Sequence, residues 1–362
     1  MTSLDDIYNV YLRKKDEQDF AANEAQIRGS LISPFLRDVL GWNIEDPDEV
    51  RYEYHVGGKR ADIIACVDGI SKFVVELKSL NHSVFDNGDF YKQAIQYADG
   101  KGLQYAIVCN FREFVILNSQ FEPRNGNWLS LEIERYDIGQ LRKNLGLLNY
   151  FSKQSWIERD RTAADSLLNS KFIVNYQKLK PLDERLLDLF MNWRSSCMSW
   201  IKKSKPRLIE KHGEDYVEEE VQRYLNRIIF ITNCEDRKIE DVRLKEYIRA
   251  YKSSLQIEGH AVTKGIKKIF EYYLSRYDSD LFEKGLADEF EFDDGITYKI
   301  LTDIKSPAND LPYDFSIISP DILGMTYENF IGHIIQGRKN LKEVADVEKK
   351  KQEGIYYTPP RG

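Results

Sequence analysis

Apolar residues recur at helical spacing between positions 19 and 40, where Phe20, Ile27, Leu31, Phe35, Leu36, Val39 and Leu40 form one stripe and Gly41 stands at a C-cap position. The pattern predicts one amphipathic helix, kinked at Pro34. The period then changes from helical to alternating. Residues 50–56, 60–67 and 71–78 are short segments rich in β-branched and aromatic side chains, separated by the turn-forming pairs Gly57-Gly58 and Asp68-Gly69. They predict an antiparallel meander. Helical spacing returns over 90–98, and 104–109 and 113–117 read as two more strands, so the order is α-β-β-β-α-β-β. A further strand over 128–132 and a helix around 138–151 complete a first domain, 1–160, that ends between Trp156 and Ala164.

Beyond about residue 161 the strands stop. Charged faces and apolar stripes such as Leu186, Leu187, Phe190 and Trp193, and later Leu225, Ile228 and Ile229, predict a mostly α-helical domain over 161–348. A strand-rich insert is expected near 290–301, and 342–351 reads as a charge-dense helix. The fold class is therefore an α/β domain with a mixed sheet, followed by a helical one.

Length supports two domains, because 362 residues exceed the size at which one hydrophobic core usually stops growing. With 42% hydrophobic and 31% charged residues, and no apolar run near the ~20 residues that cross a bilayer, the composition is that of a soluble globular protein. The first 18 residues carry charges where a signal peptide needs an apolar stretch, so the cytoplasm is the expected location. The net charge of −7 excludes a histone-like binder but says nothing about local sign, which is what matters for a cleft that holds cations. Cys66, Cys109, Cys197 and Cys234 are far apart and lack His neighbours at ligand spacing, so we expect reduced structural thiols and no zinc.

The chemistry concentrates in Ser71-Lys72-Phe73-Val74-Val75-Glu76-Leu77-Lys78-Ser79. Alternation turns Phe73, Val75 and Leu77 to one face and Val74, Glu76 and Lys78 to the other, so a carboxylate and an ammonium group share one face of a strand. Asp62, on the preceding strand of a tight hairpin, presents a second carboxylate across the pair. Two carboxylates suit one or two Mg²⁺ ions, with Mn²⁺ as a substitute, that polarise a phosphodiester and activate water, and a lysine supports the developing charge. Glu24, on the first helix, is a further candidate for the metal shell. Gln93 and Tyr97 lie at i and i+4 on the next helix, on one face, in reach of the lysine or of substrate phosphate. A lone Glu-x-Lys in a strand is usually a solvated ion pair; the conjunction carries the functional reading.

Taken together, Asp62, Glu76-x-Lys78 and Gln93-x-x-x-Tyr97 resemble the RecB-like branch of the PD-(D/E)xK nucleases, also found at the N-terminus of type I restriction motor subunits. The resemblance implies a restriction-endonuclease-like αβββαβ core and catalytic roles for Asp62, Glu76, Lys78, Gln93 and Tyr97, with metal at Asp62 and Glu76, to which Glu24 on the first helix is a further candidate ligand. Ala61 stands where the family name has proline.

Residues 225–239, 319–332 and 349–360 resemble the segments that join nuclease to methyltransferase in type IIG restriction-modification enzymes. Gly354-Ile355-Tyr356-Tyr357-Thr358-Pro359-Pro360 is similar to the entry motif of the γ-type DNA adenine methyltransferases. That likeness implies that Tyr357, Thr358 and Pro359 meet S-adenosylmethionine in a longer protein. No Gly-rich cofactor loop or Asn-Pro-Pro-Tyr motif occurs, so 349–362 is expected to be the start of a methyltransferase domain missing here, as is the target-recognition domain. The expectation is a Mg²⁺-dependent endonuclease portion acting on double-stranded DNA. The basic stretches 202–207 and 264–268 are candidate backbone contacts, or simply solvated faces. The competing reading is a non-catalytic DNA-binding or assembly scaffold with a decayed nuclease fold.

Overall fold

The computed structural model describes residues 2–52, 62–158, 177–241, 243–244, 261–277, 279–305 and 313–337. The chain divides into two units, Met1–Pro181 and Leu182–Gly362. The boundary thus falls after a stretch, 159–176, that lies outside the described residues, as do the turn at Gly57-Gly58 and all of 338–362.

Unit 1 opens with helices α1 (Leu4–Lys14), α2 (Gln18–Ala22) and α3 (Glu24–Ile27), then strands β1 (Val50–Tyr52), β2 (Ile63–Val67) and β3 (Ile70–Leu77). Helix α4 (Gly88–Gly100) leads to β4 (Tyr105–Cys109), β5 (Glu113–Asn118) and β6 (Glu132–Asp137), followed by helices α5 (Ile138–Lys143) and α6 (Lys153–Glu158). The six strands form one sheet in chain order. All neighbours are antiparallel except β3 and β4, which are parallel and joined by α4. A parallel pair needs such a crossover, whereas β2 and β3 need only the two-residue turn Asp68-Gly69, whose positive φ values of 52° and 75° suit a tight hairpin.

Every residue of β2 and of β4 is buried, as expected of central strands covered on both faces. On one face Phe73 packs against Trp42 and Trp156, with ring centroids 5.7 and 4.8 Å away, and Phe35 packs against Phe114 at 5.5 Å. Trp42 is anchored by its Nε1, which donates to the Phe151 carbonyl at 2.8 Å. Helix α4 packs on β3 and β4 and buries Tyr91, Ala94, Ile95 and Ala98.

Three elements of unit 1 differ from the expectation. The helix over 19–40 is not continuous: Asn23 is extended, its Oδ1 accepts from the Gln26 amide at 3.1 Å, and a new helix begins at Glu24. Instead of a simple kink at Pro34, two π-helical segments, Arg28–Ile32 and Phe35–Val39, flank Ser33-Pro34. Trp128–Leu131 is a 3₁₀ turn capped by Asn127, and strand β6 starts only at Glu132. Helix α5 stops at Asn144, whose φ of −133° leaves the helical region, and Leu145–Tyr150 is 3₁₀.

Unit 2 is helical in its described parts: α7 (Leu182–Ser204), α8 (Pro206–His212), α9 (Glu214–Asp236), α10 (Ala261–Arg276), α11 (Asp294–Lys305) and α12 (Pro320–Gly337). The strand-rich insert expected over 290–301 is absent from these residues. Phe292 turns into the core against Tyr224 and Trp200, and the helix α11 begins two residues later, with the Ile296 amide donating to Asp293 Oδ1 at 2.9 Å. The core is knitted by aromatic contacts and by Arg227, fully buried on α9. Its guanidinium pairs with Asp288 at 2.8 Å and donates to the carbonyls of Leu281 and Glu283 at 2.7 Å each. No described helix is long and apolar enough to cross a membrane.

Candidate active site

Register places the site. Ile63 pairs with Val75 across β2 and β3, so Asp62, one residue earlier, stands beside the C-terminal end of β3. There its Oδ2 accepts the Leu77 amide at 2.8 Å. The Lys78 amide in turn donates to the Cys109 carbonyl at 2.8 Å, which extends the β3–β4 ladder and fixes the backbone on both sides of Leu77. Alternation along β3 then directs Glu76 and Lys78 to one face.

Lys78 Nζ lies 2.7 Å from Glu76 Oε1, and both side chains are almost wholly buried. Nζ also donates to Gln93 Oε1 at 3.0 Å and sits 4.8 Å from the centroid of the Phe90 ring. Phe90 and Gln93 both come from the first turns of α4, so this helix lays one polar and one aromatic contact on the lysine. Helix α4 is itself tied down by Tyr91, whose hydroxyl donates to Glu132 Oε2 at 2.7 Å, while Arg135 bridges Glu132 and Asp86.

Glu76 Oε2 is buried and has no hydrogen-bond partner. Burial pushes the Glu76 carboxyl up to about 7; Lys78 opposes the rise, and the nearby charges of Asp62 and Glu24 add to it. Leaving a buried carboxylate oxygen without a donor is costly, and such a group in a native site calls for a missing partner.

Asp62 and Glu24 line one open cleft of about 660 Å³, together with Asp19, Ala22, Asn23, Ala25 and Arg28. The break at Asn23 is what makes Glu24 the first residue of a new helix on that wall. Among the described residues no three His, Cys, Asp or Glu side chains converge closely enough to hold a metal ion by themselves. Asp62 and the orphaned Glu76 oxygen nevertheless suit Mg²⁺, which typically keeps several waters and takes one or two carboxylates together with substrate phosphate. The donors are hard oxygens, with no thiolate or imidazole among them.

The structure thus brings Asp62, Glu76, Lys78 and Gln93 together, with Glu24 on the adjoining wall. Tyr97, one turn after Gln93, is buried in α4. Tyr357, Thr358 and Pro359 lie outside the described residues. Two residues were missed from the sequence, Phe90 over the lysine and Arg28 in the cleft; Phe90 was visible only as an apolar position of a helical stripe. In the basic stretches Lys202 pairs with Glu214 at 2.6 Å, and Lys205 and Lys267 both approach Glu291, at 3.6 and 3.3 Å. All four cysteines are free and buried.

No family model and no solved structure matches the chain. Among curated proteins it is similar to RM.Eco57I of Escherichia coli, described as a type II restriction enzyme and methyltransferase. The two are 27% identical over an alignment 356 residues long that covers 93% of this chain and 34% of that protein. The chain therefore spans about a third of the length of the curated relative it matches.

Proposed function

We propose that unit 1 is a PD-(D/E)xK endonuclease that hydrolyses phosphodiester bonds of double-stranded DNA with Mg²⁺, and that the chain is the nuclease portion of a type IIG restriction-modification enzyme. The observation that carries this reading is the buried, unpartnered Glu76 oxygen at the end of β3, beside Asp62 and beside a lysine held by Gln93. Similarity to a restriction enzyme and methyltransferase along 93% of the chain supports the context.

In this reading Asp62 and Glu76 would hold the cation, and Glu24 would add a further carboxylate to it directly or through water. A bound divalent ion supplies charge neutralisation at the scissile phosphate and an acidified water. Lys78, fixed by Gln93 and Phe90, presents ammonium N–H groups to the negative charge that develops on the phosphate oxygens. Asp62 keeps its place through the Leu77 amide, so the carboxylate is oriented before the cation arrives. Tyr97 backs Gln93 from the same helix face. S-adenosylmethionine binding at Tyr357, Thr358 and Pro359 belongs to a longer protein in the same reading.

The test is Mg²⁺-dependent cleavage of supercoiled plasmid by the protein that carries this chain. Asp62→Ala and Lys78→Ala should each lower the rate by about 100-fold or more. Undiminished cleavage by either variant contradicts the assignment.

A further inference from the structure

The cleft beside Asp62 holds a cation with no role in the chemistry above. Arg28 is the first residue of the π-helical segment Arg28–Ile32, and it lines the same cavity as Asp19, Glu24 and Asp62. Its guanidinium carbon lies 5.6 Å from the centroid of the Tyr52 ring on β1, and the Tyr52 hydroxyl is 3.3 Å from Ser33 Oγ. Glu24 precedes Arg28 by four residues, the spacing at which helical ion pairs form. Even so, among the described residues Arg28 makes no ion pair.

This arrangement is unusual for a structural arginine. Arg28 shares the cleft with Asp19, Glu24 and Asp62, yet none of them holds it in an ion pair. Here the π-helical turn and the Tyr52 face hold the guanidinium plane, so its five N–H donors are not taken up by the cleft's own acids. Single π-helical turns occur often at functional sites because they re-aim one side chain. A free anion is repelled by Asp19, Glu24 and Asp62, whereas an anion that shares a divalent cation with Asp62 and Glu76 is not. A planar fork next to a cation-binding pair of carboxylates matches a phosphodiester, which offers oxygens to both.

We propose that Arg28 binds a backbone phosphate of the nucleic acid that enters this cleft, with Tyr52 as the platform that orients it. The inference rests on the nuclease reading of the cleft and adds a substrate contact to it. Arg28 sets the position of the strand and leaves sequence unread, since phosphate contacts carry no base information.

The experiment measures binding of the full chain to a fluorescein-labelled duplex of about 30 base pairs, in Ca²⁺, across a salt series. Arg28→Ala should weaken binding about tenfold and reduce the slope of log affinity against log salt by about one, the signature of one lost phosphate contact. Arg28→Lys should keep the slope while losing part of the affinity, and it decides the matter if Arg28→Ala melts early. A wild-type slope in Arg28→Ala, a slope lost equally in Arg28→Lys, or no binding by the wild-type chain at low salt overturns the proposal. Asp62→Ala separates the two readings. If Asp62→Ala still cuts plasmid while Arg28→Ala loses slope, the nuclease assignment fails and the phosphate contact stands; the opposite pair of results leaves the nuclease and removes the contact.

Discussion

The Leu77 amide donates to Asp62 Oδ2 at 2.8 Å, so the acid at the start of β2 is hydrogen-bonded to the backbone between Glu76 and Lys78. One short bond therefore ties together the three residues on which the proposed chemistry depends.

This bond separates the structural role of Asp62 from its charge. Asp62→Asn keeps an oxygen acceptor for the Leu77 amide and should leave stability within about 1 kcal/mol of wild type, whereas Asp62→Ala strands a buried amide and should cost about 1–3 kcal/mol. Both should abolish metal-dependent cleavage. Urea denaturation beside a plasmid assay checks the split; an active Asp62→Asn contradicts a metal-ligand role.

Glu76 makes stability depend on pH in a stated direction. Its folded carboxyl is raised to about 7 from 4.5, chiefly by burial, so between those values the native state binds more protons than the unfolded one. Without metal, stability should then fall as pH rises from about 4.5 to 7, by up to about 3 kcal/mol. Glu76→Gln should flatten that profile and be more stable than wild type at pH 8. Added Mg²⁺ should restore wild-type stability at pH 8 and do nothing for Glu76→Gln. Denaturant melts at pH 5 and pH 8, with and without Mg²⁺, measure all four values.

Gln93 holds Lys78 through one hydrogen bond and Phe90 through one ring contact. Gln93→Ala should leave the lysine less well aimed, lowering the cleavage rate about tenfold with little change in DNA affinity. A fall in affinity with an unchanged rate points instead to direct substrate binding by Gln93.

In unit 2 the buried guanidinium of Arg227 satisfies Asp288 and two carbonyls. Arg227→Met should cost about 3–5 kcal/mol, because Asp288 Oδ1 and both carbonyls lose the guanidinium at once. Loss of a denaturation transition, followed by helical circular dichroism, reads the effect; a change under 1 kcal/mol contradicts it.

Much of this geometry was legible along the chain because it follows from local rules. The Asp68-Gly69 turn sets the β2–β3 hairpin, and a period of two places Glu76 and Lys78 on one face once Phe73 and Val75 are assigned to the core. Gln93 follows from helical spacing on α4. What escaped depends on contacts distant in sequence. Asn23 reads as one more polar residue of a helical stripe, and only its cap on the Gln26 amide shows that the helix restarts there. The π-helical turn at Arg28 has no local signature, and the place of that side chain beside Tyr52 is set by the docking of β1. Over 290–301 the β-prone aromatics concealed a legible helix start, since Asp293 and Asp294 precede Ile296 as cap and first-turn acid. The Asp62 bond to Leu77 was invisible for a different reason: it joins a side chain to a backbone amide, which no pattern of residue types encodes.

The proposed chemistry needs a cation shared by Asp62 and Glu76, and anomalous diffraction from crystals soaked in Mn²⁺ locates such an ion directly. A shared cation gives a peak within about 2.5 Å of both an Asp62 oxygen and Glu76 Oε2. The peak should vanish in Glu76→Gln. Crystals that bind Mn²⁺ elsewhere, or bind none while Lys78 keeps its contact with Glu76, would contradict it.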